Sequence, residues 1–513
     1  MNLWNFYFIS KLVLYFGHHI GFHVLANLGF ALVLLVPLRR PVLRVSRQAV
    51  AVPAACALLY YDSWFPPFEN LVAQTPRLLE FSLSYLGELA GRFIVGQVVA
   101  AMCGVFILCY LVSKRYRLTP IVIASMFAPL FPIDTLFAHG SDAAQSKEQI
   151  QVSDKELTQA LDTFYKREQS TVVSYSPAPK SDTPFDIIFL HVCSLSWDDL
   201  KAVGEAENPF IKKFNIVFTN FNSATAYSEP SMMRLQHGSC GQEKHNGMYA
   251  PAAPQCHTLN ALKLVGYEAN VALNHAGTAG DFLKDLREIG RVNEAPMDIS
   301  DIPQWMYSYD EAPIYNDYAI LSKWWRMRSA NQSPRTVLYY NTITMHDGAR
   351  DTPKYSKDSL LDYRPRAIRL FSDLDRFFAQ IEASGRRAVV VFIPEHGTNL
   401  RGDRMQISGM REIPSPSITN VPVGIRLIGL GDAATVSTHV VSQPSSYLAV
   451  SAIISRMVSN SPFNKNSAGL EHYVADLPVT DFVAENNKDM LIMGYKGRYF
   501  LLTKHTKWTP YVP

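Results

Sequence analysis

Val389-Val390-Val391-Phe392-Ile393-Pro394-Glu395-His396-Gly397 is an apolar run that ends on an adjacent carboxylate and imidazole. Buried strands rarely finish this way. In open α/β sheets ligands bind beyond the carboxyl ends of the strands, so Glu395 and His396 are expected to project into a crevice suited to a metal or a phosphate. Asp186-Ile187-Ile188-Phe189-Leu190-His191-Val192 runs in the same manner into Cys193-Ser194-Leu195-Ser196, which sets a thiol at a second strand tip.

Outward from these two strands, apolar runs alternate with longer helical patterns from residue 183 onward. Strands are expected near 186–192, 268–273, 335–341, 387–393 and 421–429, with helices such as 364–384 between them, which is the pattern of a wound α/β sheet. A late hairpin at 490–495 and 498–503, with Lys496-Gly497 in its turn, is expected on one edge. Residues 138–182 are rich in Ser, Asp, Gln, Lys and Pro and read as a tether. One helix interrupts it, opened by the capping-box pattern Ser153-Asp154-Lys155-Glu156 and running to about Lys166.

The front of the chain has another character. Apolar stretches at about 5–20, 22–38, 48–62, 93–113 and 118–133 each approach the length that spans a bilayer, so residues 1–137 read as a transmembrane domain of about five helices. Basic residues gather at Arg39, Arg40, Arg44 and Arg47 and at Lys114, Arg115 and Arg117, which the positive-inside rule places in the cytoplasm. The N-terminus is then cytoplasmic and everything after about residue 134 lies outside the membrane. Residues 76–92 read either as an amphipathic helix on the outer face or as an extension of the next span. No signal-peptide cleavage site is evident.

Outside the membrane part the charges nearly balance, 38 basic against 40 acidic. Without a basic stripe, a nucleic-acid partner is not expected. Cys56, Cys103 and Cys109 fall in the expected spans. Cys240 and Cys256 face an oxidising compartment and close a loop for which a disulfide contributes ~3 kcal/mol. Cys193 is left over, and an unpaired thiol outside the cytoplasm needs a reason.

Asn222-Ser223-Ala224-Thr225-Ala226-Tyr227-Ser228-Glu229-Pro230-Ser231-Met232-Met233-Arg234 is a polar turn leading into a helix. A hydroxyl at a helix start sits where unpaired N–H groups favour an anionic phosphate, which makes Ser228 a candidate nucleophile and Tyr227 a candidate substrate contact. His346, in Thr344-Met345-His346-Asp347, again follows a strand. Thiolate, imidazole and carboxylate are ligands that zinc accepts, and a catalytic zinc keeps one position for a reactive oxygen.

Longer strings carry a resemblance. Trp4-Asn5-Phe6-Tyr7-Phe8, Cys193-Ser194-Leu195-Ser196-Trp197, Asn220-Phe221-Asn222-Ser223-Ala224-Thr225, Ser239-Cys240-Gly241-Gln242, Pro394-Glu395-His396-Gly397 and Ile413-Pro414-Ser415-Pro416-Ser417-Ile418-Thr419 resemble the cellulose phosphoethanolamine transferases of bacterial cellulose-synthesis systems. These are membrane-anchored members of the alkaline phosphatase superfamily. The resemblance covers nearly the whole chain. It implies an alkaline-phosphatase-like α/β domain at 183–513, held in the periplasm by a multi-pass anchor in the inner membrane. The implied reaction moves phosphoethanolamine from phosphatidylethanolamine to glucosyl C6 hydroxyls of nascent cellulose. Ser228 is the implied nucleophile, with Cys193, Glu395 and His396 joining it around one zinc ion. The implied partners are the bacterial cellulose synthase complex and its small membrane accessory subunits.

The chemistry of the residues is compatible with that reading. Zinc lowers the pKa of a neighbouring oxygen, which suits Ser228 Oγ as a nucleophile near neutral pH. His346 is expected to carry protons or to hydrogen-bond the transferring group. Arg404, nine residues past Glu395, is expected to pair with phosphate, and His275, just past a strand, to serve acceptor or phosphate binding. A sulfatase or phosphatase is the nearest rival, but Met232 stands where the sulfatase pattern has Arg, and a thiolate suits zinc better than the hard calcium of those enzymes. Lipid A phosphoethanolamine transferases generally use Thr where this chain has Ser228. An inactive scaffold subunit of the synthase complex would need neither Ser228 nor a metal.

Overall fold

The computed structural model describes residues 2–17, 20–63, 96–116, 118–130, 152–277, 281–351, 361–406, 408–430, 438–465, 469–487, 490–503 and 507–512, together with Gly87, Gly91 and Ser467. The chain divides into two units, one formed mainly by the residues before 152 and one by those after.

The first unit is helical, with helices at Asn2–Phe16, Val24–Leu35, Pro41–Asp62, Gly96–Ser113 and Leu118–Ser125. Among the described residues, Pro41–Asp62 alone is both long and apolar enough to cross a membrane by itself. Phe8, Ala31, Leu34, Ala51, Val122 and Met126 form the unit's small core. Large apolar side chains face outward: Leu25 is 86 % exposed and Val42 72 %. The amphipathic helix expected over 76–92 lies outside the described residues, apart from Gly87 and Gly91.

The second unit is built on a seven-stranded sheet. Its strands in chain order are β1 (Asp186–Val192), β2 (Ile216–Phe218), β3 (Glu268–Leu273), β6 (Thr336–Thr342), β7 (Ala388–Pro394), β8 (Val423–Ile428) and β9 (His439–Val441), arranged β3-β6-β1-β7-β8-β2-β9. The omitted numbers belong to a two-stranded hairpin, β4 (Gln304–Tyr307) with β5 (Pro313–Tyr315). Strands β3, β6, β1 and β7 run parallel, whereas β8 runs antiparallel to β7.

Period-two alternation explains the run-like composition of the central strands. Ile187 and Phe189 of β1, with Val389, Val391 and Ile393 of β7, enter one core. Ile188, Leu190 and Val192, with Val390 and Phe392, enter the other. The helix Tyr363–Ala383 covers the latter with Leu370, Phe371, Leu374, Phe377, Phe378 and Ile381, an apolar stripe at helical spacing.

Two expectations are corrected. The late hairpin is not an edge of the main sheet. It belongs to a separate antiparallel sheet of four strands, β10 (Val483–Asn487), β11 (Met490–Tyr495), β12 (Arg498–Thr503) and β13 (Lys507–Tyr511). The tether over 138–182 is also shorter than expected. Residues 138–151 lie outside the described residues, but the helix Asp154–Gln169 is packed on that second sheet, burying Leu157, Phe164 and Tyr165 against Val483, Leu491, Phe500 and Trp508. Ser153 caps this helix by accepting from Glu156 N at 3.2 Å. The Glu156 carboxylate accepts from Tyr495 Oη at 2.9 Å and Lys496 Nζ at 2.7 Å.

Candidate active site

The parallel register of β1, β6 and β7 sets Val192 beside both Thr342 and Pro394, so three central strands end together. The ladder continues past the tips. Cys193 N donates to Thr342 O at 2.9 Å, Glu395 N to Val192 O at 2.8 Å and Leu195 N to His396 O at 2.6 Å. Ser194 adopts a left-handed conformation, φ 57°, and turns the chain away just past Cys193. Gly397 is required where the turns meet, because a Cβ there would lie 2.5 Å from Ser196 Oγ and 2.6 Å from Asp199 Oδ2. Asp199 in turn accepts from Thr398 N at 2.6 Å and Leu400 N at 3.0 Å, fixing the segment after His396.

Ser228 opens the helix Ser228–Gln236. Its Oγ lies 3.2 Å from Cys193 Sγ and 3.4 Å from His396 Nε2. Cys193, Glu395 and His396 are fully buried, and each offers a ligand atom within 4.8 Å of the others. His396 Nδ1 lies 2.9 Å from Gly397 O and donates to it, which leaves Nε2 as the acceptor turned toward Ser228 and Cys193. Glu395 Oε1 accepts from Asn341 Nδ2 at 2.6 Å. Its Oε2 is buried without a well-directed hydrogen-bond donor, 3.8 Å from His396 Nε2.

These groups are costly as they stand. Burial raises the Glu395 carboxyl. Burial, then the nearby Glu395, pushes the Cys193 thiol up. Burial, then Arg411, drives the His396 imidazolium well below its ordinary range. A divalent cation among them would offset that cost by favouring carboxylate, thiolate and neutral imidazole together. The sulfur, oxygen and nitrogen donors fit zinc, and the undonated Glu395 oxygen fits a ligand position.

Of the other expected site residues, Tyr227 is half-buried beside Ser228 and donates from its hydroxyl to Glu412 at 3.0 Å. His346 is half-buried, its Nδ1 2.6 Å from Asp347 O, and burial followed by Arg411 lowers its pKa to about 4. His275 is not at the mouth of the site. It is buried, with Gly277 N donating to Nδ1 at 3.0 Å and Nε2 2.8 Å from Asn341 Oδ1, which sets it behind Asn341 and Glu395. Cys240 and Cys256 are joined in a disulfide.

Arg404 is exposed. The guanidinium found at the site belongs instead to Arg411, whose Nη1 lies 3.0 Å from His396 Nδ1 and 3.3 Å from Nε2. It also stands 5.6 Å from the centre of the Tyr227 ring. A buried asparagine holds both loops: Asn486 Nδ2 donates to Arg411 O at 2.6 Å and Glu412 O at 2.8 Å, while its Oδ1 accepts from Ala226 N at 2.8 Å. Reading the sequence alone missed Arg411, Asn341 and Asn486. Asn341, at the end of an apolar strand next to Thr342, carried the one available signal, since it repeats the polar strand end that marked Glu395.

Models of the cellulose biosynthesis protein BcsG match this chain with their N-terminal domain over residues 4–130 and their C-terminal domain over residues 141–508. The chain belongs to the BcsG family. The cellulose biosynthesis protein BcsG of Salmonella typhimurium is 35 % identical over 99 % of this chain and 96 % of its own length, and that of Escherichia coli K12 is 34 % identical over the same shares. Among solved structures, an alkaline phosphatase superfamily protein from Vibrio parahaemolyticus aligns over 69 % of this chain and 87 % of its own at 12 % identity, with a TM-score of 0.46. The C-terminal periplasmic domain of EptC from Escherichia coli aligns over 63 % and 96 % at 12 % identity, with a TM-score of 0.45. Membership of the BcsG family assigns the chain to cellulose biosynthesis and leaves its chemistry to the site.

Proposed function

We propose that this BcsG-family chain transfers phosphoethanolamine from phosphatidylethanolamine to C6 hydroxyls of glucosyl units in nascent cellulose. The observation that carries this reading is the convergence of Ser228 Oγ, at a helix start, with Cys193, Glu395 and His396 at two buried strand tips. One Zn2+ held by Cys193, Glu395, His396 and Ser228 would supply positive charge that favours an ionised serine oxygen and the crowded phosphoryl oxygens. In the first displacement Ser228 Oγ bonds to phosphorus, the bond to the diacylglycerol oxygen breaks, and the serine proton passes by way of His346 to that oxygen. In the second, a sugar hydroxyl bonds to phosphorus, the phosphoserine bond breaks, and the hydroxyl proton passes by way of His346 to the serine oxygen. His346 is suited to both steps because it is neutral near pH 7. The Arg411 guanidinium pairs with the phosphoryl oxygens through its planar fork.

The helices before residue 131 are read as an inner-membrane anchor of about five spans with a cytoplasmic N-terminus, which keeps the site near a donor that stays in the bilayer. The second unit then faces the periplasm, where the synthase complex and its accessory membrane subunits deliver the acceptor. The test uses the full-length chain in detergent with zinc and a short-chain phosphatidylethanolamine, without sugar, followed by peptide mass spectrometry. One phosphoethanolamine on the Ser228 peptide, absent in Ser228→Ala and discharged by cello-oligosaccharide, is the expected result. Donor turnover without an adduct would replace the two-step route by direct transfer or hydrolysis, and no turnover at all would favour a scaffold.

A further inference from the structure

Burial alternates along β4 and into the turn that follows it. Trp305 is 46 % exposed, Met306 is fully buried, Tyr307 is half-buried, Ser308 is buried and Tyr309 is half-buried. The register with β5 slips by one residue between Gln304 and Met306, which makes Trp305 the extra residue of a bulge; from there Trp305, Tyr307 and Tyr309 are the more open positions and Met306 and Ser308 the buried ones, and Ser308 N closes the turn on Ala312 O at 2.8 Å.

The opposite face is anchored to the catalytic side. Met306 and Ile314 pack with Ala349 and Ile343. Tyr307 and Arg350 exchange both backbone hydrogen bonds, at 2.8 and 2.9 Å, and Arg350 Nη1 donates to Ser308 O at 3.0 Å and Gly348 O at 3.3 Å. The row of rings is thereby fixed to the loop that carries His346. At its near end the Tyr309 ring centre lies 5.2 Å from that of His346, with the planes 32° apart.

Single exposed aromatics are ordinary on any surface. Trp305, Tyr307 and Tyr309 instead succeed one another along an anchored segment that ends at a proposed proton carrier. An aromatic ring offers a flat apolar face with a polar edge. The rings of a β-linked glucan carry their hydroxyls around the rim and bare C–H faces above and below, so the two surfaces are complementary. Trp305 and Tyr307 lie two residues apart, roughly 7 Å in extended chain, and Tyr309 follows in the turn, so the rings are spaced for consecutive glucosyl units. Their flank suits a neutral chain. Arg369 stands over one face of the Trp305 ring, 5.4 Å from its centre, and is paired with both oxygens of Asp351, at 2.9 and 3.1 Å.

We propose that Trp305, Tyr307 and Tyr309 form the acceptor track of this protein, stacking on a run of β-linked glucosyl units and presenting a primary hydroxyl beside His346. This deepens the transferase reading and rests on it for the reaction. The hydroxyl oxygen forms the new bond to phosphorus as the Ser228 Oγ–phosphorus bond breaks, and the hydroxyl proton passes by way of His346 to the departing serine oxygen.

The experiment measures cellohexaose binding to the full-length protein in detergent by saturation-transfer NMR, with maltohexaose as the control glucan, alongside steady-state transfer from a short-chain phosphatidylethanolamine. Trp305→Ala is expected to weaken cellohexaose binding and raise its KM about tenfold while kcat stays within about twofold, and Trp305→Phe to restore most of the affinity. Binding and KM in Trp305→Ala equal to wild type, or no cellohexaose binding by the wild type, would overturn the track. Failure of the wild type to turn over the lipid donor at all would count against the transferase reading. The binding measurement decides the track separately, by whether cellohexaose is held and released on loss of the Trp305 ring.

Discussion

Both units bury a carboxylate, and they treat it differently. In the helical unit Asp62 is surrounded: Oδ2 accepts from Asn27 Nδ2 at 2.8 Å and pairs with Lys11, while Oδ1 accepts from His23 N at 3.1 Å and lies 2.6 Å from His23 Nδ1. In the α/β unit Glu395 has one oxygen held by Asn341 and the other buried without a well-directed donor. A closed network of this kind joins helices, whereas an open one leaves a position for a ligand. Glu485 of β10 falls between them. It is buried and accepts from the backbone N of His245 at 2.8 Å.

Breaking the open network at its reactive oxygen should have the largest effect. Ser228→Ala is expected to lower transfer by at least about a thousandfold with zinc content largely retained, measured by metal analysis beside the lipid assay. Breaking the closed network should act on stability. Asp62→Ala strands Lys11 and is expected to cost about 3–5 kcal/mol, read as a lower thermal midpoint and a smaller folded yield in detergent, with zinc per folded chain unchanged.

The intermediate case predicts a pH dependence. Burial raises the Glu485 carboxyl from 4.5 to about 7, so the folded state binds the proton more tightly than the unfolded chain. Its contribution to stability is full below about pH 4.5, falls as pH rises toward 7, and is flat above that. Glu485→Gln removes this slope, and its melting temperature relative to wild type should rise from pH 5 to pH 8, equivalent to about 3 kcal/mol at most. The smallest effect is expected at the supported oxygen of Glu395. Asn341→Leu removes its donor and should weaken zinc affinity about 10–100-fold in a chelator competition, because the carboxylate loses its orientation. Unchanged affinity would mean that Asn341 does not position the ligand.

The same contrast explains what could be read from the sequence. Cys193, Glu395 and His396 were legible because they follow two apolar runs directly, so two strand assignments place them at the carboxyl ends of the central strands. Arg411 and Arg404 are close in sequence, and local pattern does not rank them. The choice is made by Asn486, 75 positions from Arg411, through its bond to the Arg411 carbonyl. The helix Asp154–Gln169 was visible from its capping signal, but the sheet that covers it comes from the far end of the chain, so its polar surroundings read as a tether. The apolar runs of the front marked its helices, whereas the chain length of each helix leaves Pro41–Asp62 as the one span recognisable from length and composition among the described residues.

Asn486 also sets an order of events during biosynthesis. Ser228, His346, Glu395 and Arg411 all leave the ribosome before the asparagine that clamps the serine turn to the arginine loop. Trp508, which donates to Thr158 at 3.1 Å, follows that helix by 350 positions. A nascent chain therefore carries Ser228, His346, Glu395 and Arg411 before it carries the asparagine that ties the serine turn to the arginine loop, so that tie is made only once the last sheet has been synthesised.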